Sequence, residues 1–149
     1  MKARKTFILI TLLLAAIAGY AQTKEEVKEE IIRQGIPHPT IVLAQARLES
    51  GNFTSRLCKV NNNIFGIRHG KHYAKYNRWQ DCVTDYKKRI SSRYKGGDYY
   101  TFLINIRYAQ SGPKYIVALK KIVRSEKTLI KKKSIERLNI LNFTYNGKS

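Results

Sequence analysis

The chain has 149 residues, enough for one domain of ordinary size and hardly two. Twenty-nine Lys and Arg against ten Asp and Glu give a formal net charge of +19, and 43% hydrophobic residues are too many for a disordered tail. Two cysteines and three prolines exclude a disulfide-dense mini-scaffold, a four-cysteine zinc site and a proline-rich linker.

Lys2, Arg4 and Lys5 precede an apolar run from Phe7 to Ala18, and small Gly19 and Ala21 follow it. This order is that of a secretory signal peptide over residues 1–21, cleaved after Ala21. The run falls short of the roughly 20 residues a membrane-spanning helix needs. No cysteine follows it closely, so a lipoprotein anchor is not indicated. The expected location is across the inner membrane, in the periplasm or cell envelope. There the basic surface meets anionic envelope polymers and lipids, and nucleic acid is not the expected partner. Cys58 and Cys82 then lie in an oxidising compartment. A disulfide between them and two separate buried thiols both fit, because sequence spacing does not give distance.

Thr23 to Gln34 has the pattern of a charged helix, with Thr23 to cap it, Glu25 and Glu26 at its positive end and Gly35 to stop it. Pro39 opens a second helix, which carries Ile41, Leu43, Ala44 and Leu48 up to Gly51. Asn61 to Asn63 is a loop. Ile64 to Arg68 and His72 to Tyr76 predict a short hairpin turning at Gly70. Val83, Tyr86, Ile90 and Tyr94 stripe a third long helix, broken at Gly96 and Gly97. Asp98 caps a helix with Phe102, Leu103 and Ile106. Gly112-Pro113 opens another, with Tyr115, Ile116, Leu119, Ile122 and Val123 on one face. Residues 125–149 are basic and weakly patterned, an extension beyond a domain spanning 22–124. The fold class is α+β and mainly helical.

One acidic residue, Glu49, lies between Ile31 and Gln80, at the end of the second helix. A carboxyl beside apolar neighbours must be paired, hydrogen-bonded or protonated. Either it forms an ion pair with Arg47 or Arg68, or it serves as a general acid that keeps its proton near neutrality. Because positive charge favours the carboxylate, the second role requires those guanidinium groups to point elsewhere or desolvation to outweigh them.

The words around Glu49 narrow the choice. Ala44-Gln-Ala-Arg-Leu-Glu49-Ser-Gly-Asn-Phe53, then Asn62-Asn-Ile-Phe-Gly-Ile67, then Tyr108-Ala109 and Tyr115, resemble the bacterial peptidoglycan endo-β-N-acetylglucosaminidases. The resemblance runs from about Pro37 to Val123. It implies a lysozyme-like fold, with a groove between a helical lobe and a small β-hairpin lobe. It also implies hydrolysis of the β-1,4 bond after N-acetylglucosamine in peptidoglycan glycan strands, without a cofactor. By the same resemblance Glu49 is the catalytic acid and Tyr108 lines the reaction centre. Asn62 holds loop backbone or a sugar amide, Phe65 packs and is counted with Tyr115 in the substrate-binding set, and Gly66 permits a tight backbone path.

The sequence departs from the family at the second carboxylate. No acid occurs from His69 to Gln80, and the candidates that follow are Asp81 and then Asp85, which falls on a predicted helix. A route through the substrate's own 2-acetamido oxygen needs one carboxyl only. Tyr73, Tyr76 and Trp79, interleaved with Lys75 and Arg78, suit the apolar faces and charged groups of a glycan. The same alternation also describes any half-buried strand. His69 and His72 have no third ligand nearby, and no metal is expected. Two other functions fit a cationic exported domain: a lytic transglycosylase, and a non-catalytic module that binds wall polymer.

Overall fold

The computed structural model describes residues 22–146, with side chains through residue 141. The signal-peptide segment lies outside the described residues. The chain divides into two compact units at Lys95 and Gly96. The division falls inside the span expected to be one domain.

The first unit opens with α1, Lys24–Arg33. Its start is a reciprocal cap: Glu26 N–H donates to Thr23 Oγ1 at 3.2 Å, and Thr23 N–H donates to the Glu26 carboxylate at 2.7 Å. Thr23→Ala is expected to cost about 1 kcal/mol in urea unfolding. Val27 and Ile31, one turn apart, are fully buried. On the same helix Arg33 bonds the buried Glu30 at 2.8 Å. That bond outweighs burial and holds the Glu30 carboxyl below its ordinary value. The resulting stabilisation is full above the ordinary carboxylate range and is lost as pH falls through the depressed folded value. Glu30→Leu should therefore flatten the acid side of the stability–pH curve.

Helix α2, Pro39–Glu49, starts on proline. Five consecutive residues, Val42 to Ala46, are buried, so this helix is enclosed on nearly all sides. A short helix α3, Arg56–Asn61, follows, with Ser55 Oγ accepting from Cys58 N–H at 3.2 Å. It has fewer than two turns, too few for a periodic apolar face, and the sequence pattern does not show it.

The hairpin forms where expected but is shorter. Strands β1, Arg68–His69, and β2, His72–Tyr73, pair antiparallel, with Arg68 opposite Tyr73 and His69 opposite His72. Gly70 turns at φ +63°. Helix α4, Trp79–Arg89, then buries Cys82, Val83 and Tyr86, and a single 3₁₀ turn, Ser91–Arg93, replaces the expected end of that helix. Val27, Ile31, Val42, Ile64, Val83 and Tyr86 form this unit's core, each buried side chain contributing about 1.5–3 kcal/mol of transfer free energy.

The second unit holds α5, Tyr99–Asn105, capped by Asp98, whose carboxylate accepts from Thr101 N–H at 2.8 Å. Helix α6 then runs without a break from Gly112 to Asn146. The basic extension is therefore a continuation of this helix rather than an irregular tail. Residues 114–146 contain neither Gly nor Pro, so nothing interrupts the backbone hydrogen bonds. Ile116, Leu119 and Val123 are buried, whereas Leu129, Ile130, Ile135 and Leu138 are exposed. Among the described residues, no helix is long and apolar enough to cross a membrane. The architecture is the expected α+β, mainly helical class, with one small antiparallel sheet among the described residues.

Candidate active site

Glu49 is the last residue of α2 and is half-buried. The chain breaks sharply after it. Gly51, Asn52 and Phe53 take left-handed φ angles of +57°, +56° and +67° in succession. For the two non-glycine residues this costs about 1–3 kcal/mol each. The turn is held by Phe53 N–H donating to the buried Ser50 hydroxyl at 2.8 Å and by Arg47 Nε donating to Asn52 Oδ1 at 2.8 Å. The Arg68 guanidinium lies over the Tyr73 ring, 4.2 Å from its centroid.

The loop after α3 forms the wall behind Glu49. Gly66 has φ +62°, and a Cβ built on it stands 3.2 Å from Glu49 Oε2. The backbone approaches the carboxyl as closely as glycine allows. Gly66→Ala combines left-handed strain of about 1–2 kcal/mol with displacement of that carboxyl. Its expected signature is a loss of turnover larger than the loss of stability, read by comparing kcat with the urea midpoint.

Asn63, read from sequence only as a loop residue, is the keystone of this wall. Fully buried, it donates through Nδ2 to Ile67 O at 2.8 Å and Ala74 O at 2.9 Å, and it accepts from Ile67 N–H at 2.9 Å. One side chain thereby closes the Gly66 bend and ties it to the far end of the hairpin. Its neighbour Asn62 takes φ +49° and donates to Tyr76 O at 3.1 Å and Asn77 O at 3.0 Å. Of its two expected roles, this is the holding of loop backbone.

The structure gives several expected ligand residues other employment. Phe65 is buried and stacks on Tyr86 at 4.2 Å, so its ring is core and not a sugar platform. Tyr86 is oriented in turn by donating to the buried Gln45 Oε1 at 2.8 Å, one helical turn before Glu49. The Tyr73, Tyr76 and Trp79 side chains diverge. Tyr73 is exposed under Arg68. Tyr76 is half-buried and donates to Asp85 at 2.8 Å. Trp79 opens α4 and lines a shallow depression with Glu26, Glu29, Glu30, Arg33 and Gln80.

Asp81 has a structural position. As the third residue of α4 it accepts from Arg78 N–H at 3.1 Å and from the Arg78 guanidinium at 3.0 Å. Both carboxylate oxygens are used in starting the helix. Asp85 is more elaborately held. It accepts from His69 Nε2, Tyr76 Oη and Arg89 Nε, each at 2.8 Å. Burial works to raise its carboxyl, but these three donors outweigh it and hold the group below its ordinary value. Burial and the same carboxylate push the Tyr76 phenol well above its usual range.

Cys58 and Cys82 are two free, buried thiols and not a disulfide. Each has its own polar neighbour: Gln22 Nε2 lies 2.7 Å from Cys58 Sγ, and Cys82 Sγ donates toward Asn63 Oδ1 at 3.7 Å. Burial pushes both thiols up, Cys82 to about 12. Neither should be alkylated by iodoacetamide at neutral pH in the folded protein, and both should be alkylated in urea.

In the second unit, Tyr108 follows α5 in a tight turn rather than within a helix. Its N–H donates to Leu103 O at 3.0 Å, and Arg107 before it takes φ +53°. Its ring lies 5.7 Å from that of Tyr115, which is buried on α6. Among the described residues, no three His, Cys, Asp or Glu side chains group to hold a metal ion.

No curated protein and no solved structure matches the chain. A family model, glucosaminidase, described as mannosyl-glycoprotein endo-beta-N-acetylglucosaminidase, matches residues 24–128. That span includes Glu49, the Gly66 wall, the hairpin, Asp85 and Tyr108. The chain belongs to the glucosaminidase family of glycoside hydrolases.

Proposed function

We propose that the protein is an exported peptidoglycan hydrolase that cleaves the β-1,4 bond after N-acetylglucosamine, with Glu49 as general acid. The family supports a peptidoglycan hydrolase in general. The observation that carries the assignment to Glu49 is the Gly66 bend packed beside its carboxyl, where a built Cβ would stand 3.2 Å from Oε2.

In the reaction, the Glu49 proton passes to the glycosidic oxygen as its bond to the anomeric carbon lengthens and positive charge develops on the sugar. After loss of Lys2, Arg4 and Lys5 with the signal peptide, the +16 chain is retained on net-negative envelope polymers, raising the rate of encounter with the glycan. The apolar run at residues 7–18 supports export to the periplasm or cell envelope.

The test is digestion of purified peptidoglycan by the exported form. New reducing N-acetylglucosamine ends are the expected products. Anhydro-muramyl ends would assign a lytic transglycosylase instead, and binding without cleavage a wall-polymer module.

A further inference from the structure

Resting on that reading, we propose that His69, oriented by Asp85, is the general base that activates the attacking water. The geometry of the first unit leads there by stages.

Direct hydrolysis needs a second group on the far side of the anomeric carbon from the acid. Glu49 is followed by no carboxylate until Asp81. Asp81 is engaged at the start of α4 through both oxygens. Asp85 already accepts three hydrogen bonds and is only 17% exposed. The remaining bases in the hairpin are His69 and His72, and they differ. His72 has no polar side-chain partner among the described residues, so nothing fixes its ring. The His69 ring is fixed: Nε2 lies 2.8 Å from Asp85 Oδ2, and the Tyr76 ring meets it edge-on at 6.3 Å.

The bond to Asp85 also decides the tautomer. A carboxylate held below its ordinary value accepts only, so Nε2 carries the hydrogen. In the neutral ring the lone pair is therefore on Nδ1. That atom has no partner among the described residues, and the side chain is 47% exposed. An imidazole with one nitrogen held by a carboxylate and the other open to water is a base placed for use.

The position along the chain fits as well. His69 is three residues beyond Gly66, where a built Cβ would stand 3.2 Å from Glu49 Oε2. Three residues span at most about 11 Å. That is compatible with the roughly 6.5–9.5 Å that leaves room for a water between acid and base. Asp85 and Arg89 on α4, Tyr76 in the following loop and His72 across the hairpin are the titratable and charged groups around the ring. The Asp85 carboxylate favours the imidazolium that forms, and Arg89 moderates it from the opposite oxygen.

The step balances. Water attacks the anomeric carbon as the glycosidic C–O bond breaks. The water proton passes to His69 Nδ1, and the Glu49 proton stays on the departing sugar. The imidazolium then releases its proton to solvent, and Glu49 takes one up. Direct attack by water inverts the anomeric configuration.

The experiment uses the full exported chain on purified peptidoglycan, comparing wild type, Glu49→Gln, His69→Gln and Asp85→Asn. Gln at 69 keeps an N–H donor for Asp85 but has no basic lone pair, so the clamp survives and the base does not. Its kcat should fall about 10²–10⁴-fold at unchanged melting temperature, and the acid limb of the kcat–pH profile should disappear. The smaller His69→Ala side chain should be partly rescued by added imidazole. NMR of the fresh wild-type product should show the inverted α-anomer first. Full kcat in His69→Gln, an acid limb that persists there, or a β-anomer formed first would overturn the role of His69. The last outcome would return the reaction to the substrate's own acetamido group. Absence of cleavage by wild type would instead fell the glycosidase reading itself, and this inference with it.

Discussion

Glu49→Gln should lower kcat on purified peptidoglycan by about 10²–10⁴-fold, with KM and melting temperature nearly unchanged. The substitution keeps the shape of the side chain and removes the proton it delivers. Shape matters here because Gly66 leaves no slack on one side of the carboxyl. A smaller residue would open a void and confuse loss of chemistry with loss of packing. Because the proton is transferred only as the glycosidic bond breaks, the loss belongs in kcat and not in substrate affinity. A Glu49→Gln protein that turns over glycan at the wild-type rate would remove Glu49 from the chemistry.

The second large effect is expected at a residue that touches no substrate. Asn63→Ala removes three hydrogen bonds at once and strands Ile67 N–H and Ala74 O among buried residues, while Ile67 O keeps its bond from Ala74 N–H at 2.9 Å. At about 1–3 kcal/mol for each stranded group, less what local relaxation and water recover, the cost is about 3–5 kcal/mol in urea unfolding. Asn63→Asp gives no relief. It restores the acceptor for Ile67 N–H but turns a donor into an acceptor facing two carbonyl oxygens. Both variants release the bend that carries Gly66 against Glu49. Turnover measured well below the melting temperature should therefore fall even while the protein remains folded. A change in stability with turnover intact would show that the bend holds Glu49 in place without help from Asn63.

These two residues divide what was legible in advance. Glu49 stands out in sequence because it is an isolated acid in a long unacidic stretch, at the end of an apolar helix. Asn63 does not, because the sequence shows three adjacent asparagines and only the folded chain decides which one turns inward. Asn61 ends α3, Asn62 caps it in a left-handed conformation, and Asn63 fills the hairpin.

Local rules carried the helix starts. Thr23, Pro39 and Asp98 begin helices because capping and proline geometry depend on a few neighbouring residues. Helix ends were less legible. The third predicted helix gives way to a 3₁₀ turn after Arg89, and α6 continues to Asn146 where only a basic extension was expected. Apolar periodicity marks where a helix is buried, and α6 outlasts its buried face.

Sequence by itself determined the mainly helical class, the hairpin turn at Gly70, the glucosaminidase motifs and the isolation of Glu49. All of these are properties of adjacent residues or of short words. Tertiary structure alone decided that Asp81 is a cap, that Cys58 and Cys82 remain separate thiols, and that His69 meets Asp85 sixteen residues away. The physical reason is common to all three. A side chain's role depends on which groups the fold brings within hydrogen-bonding or van der Waals distance, and spacing along the chain does not specify that distance.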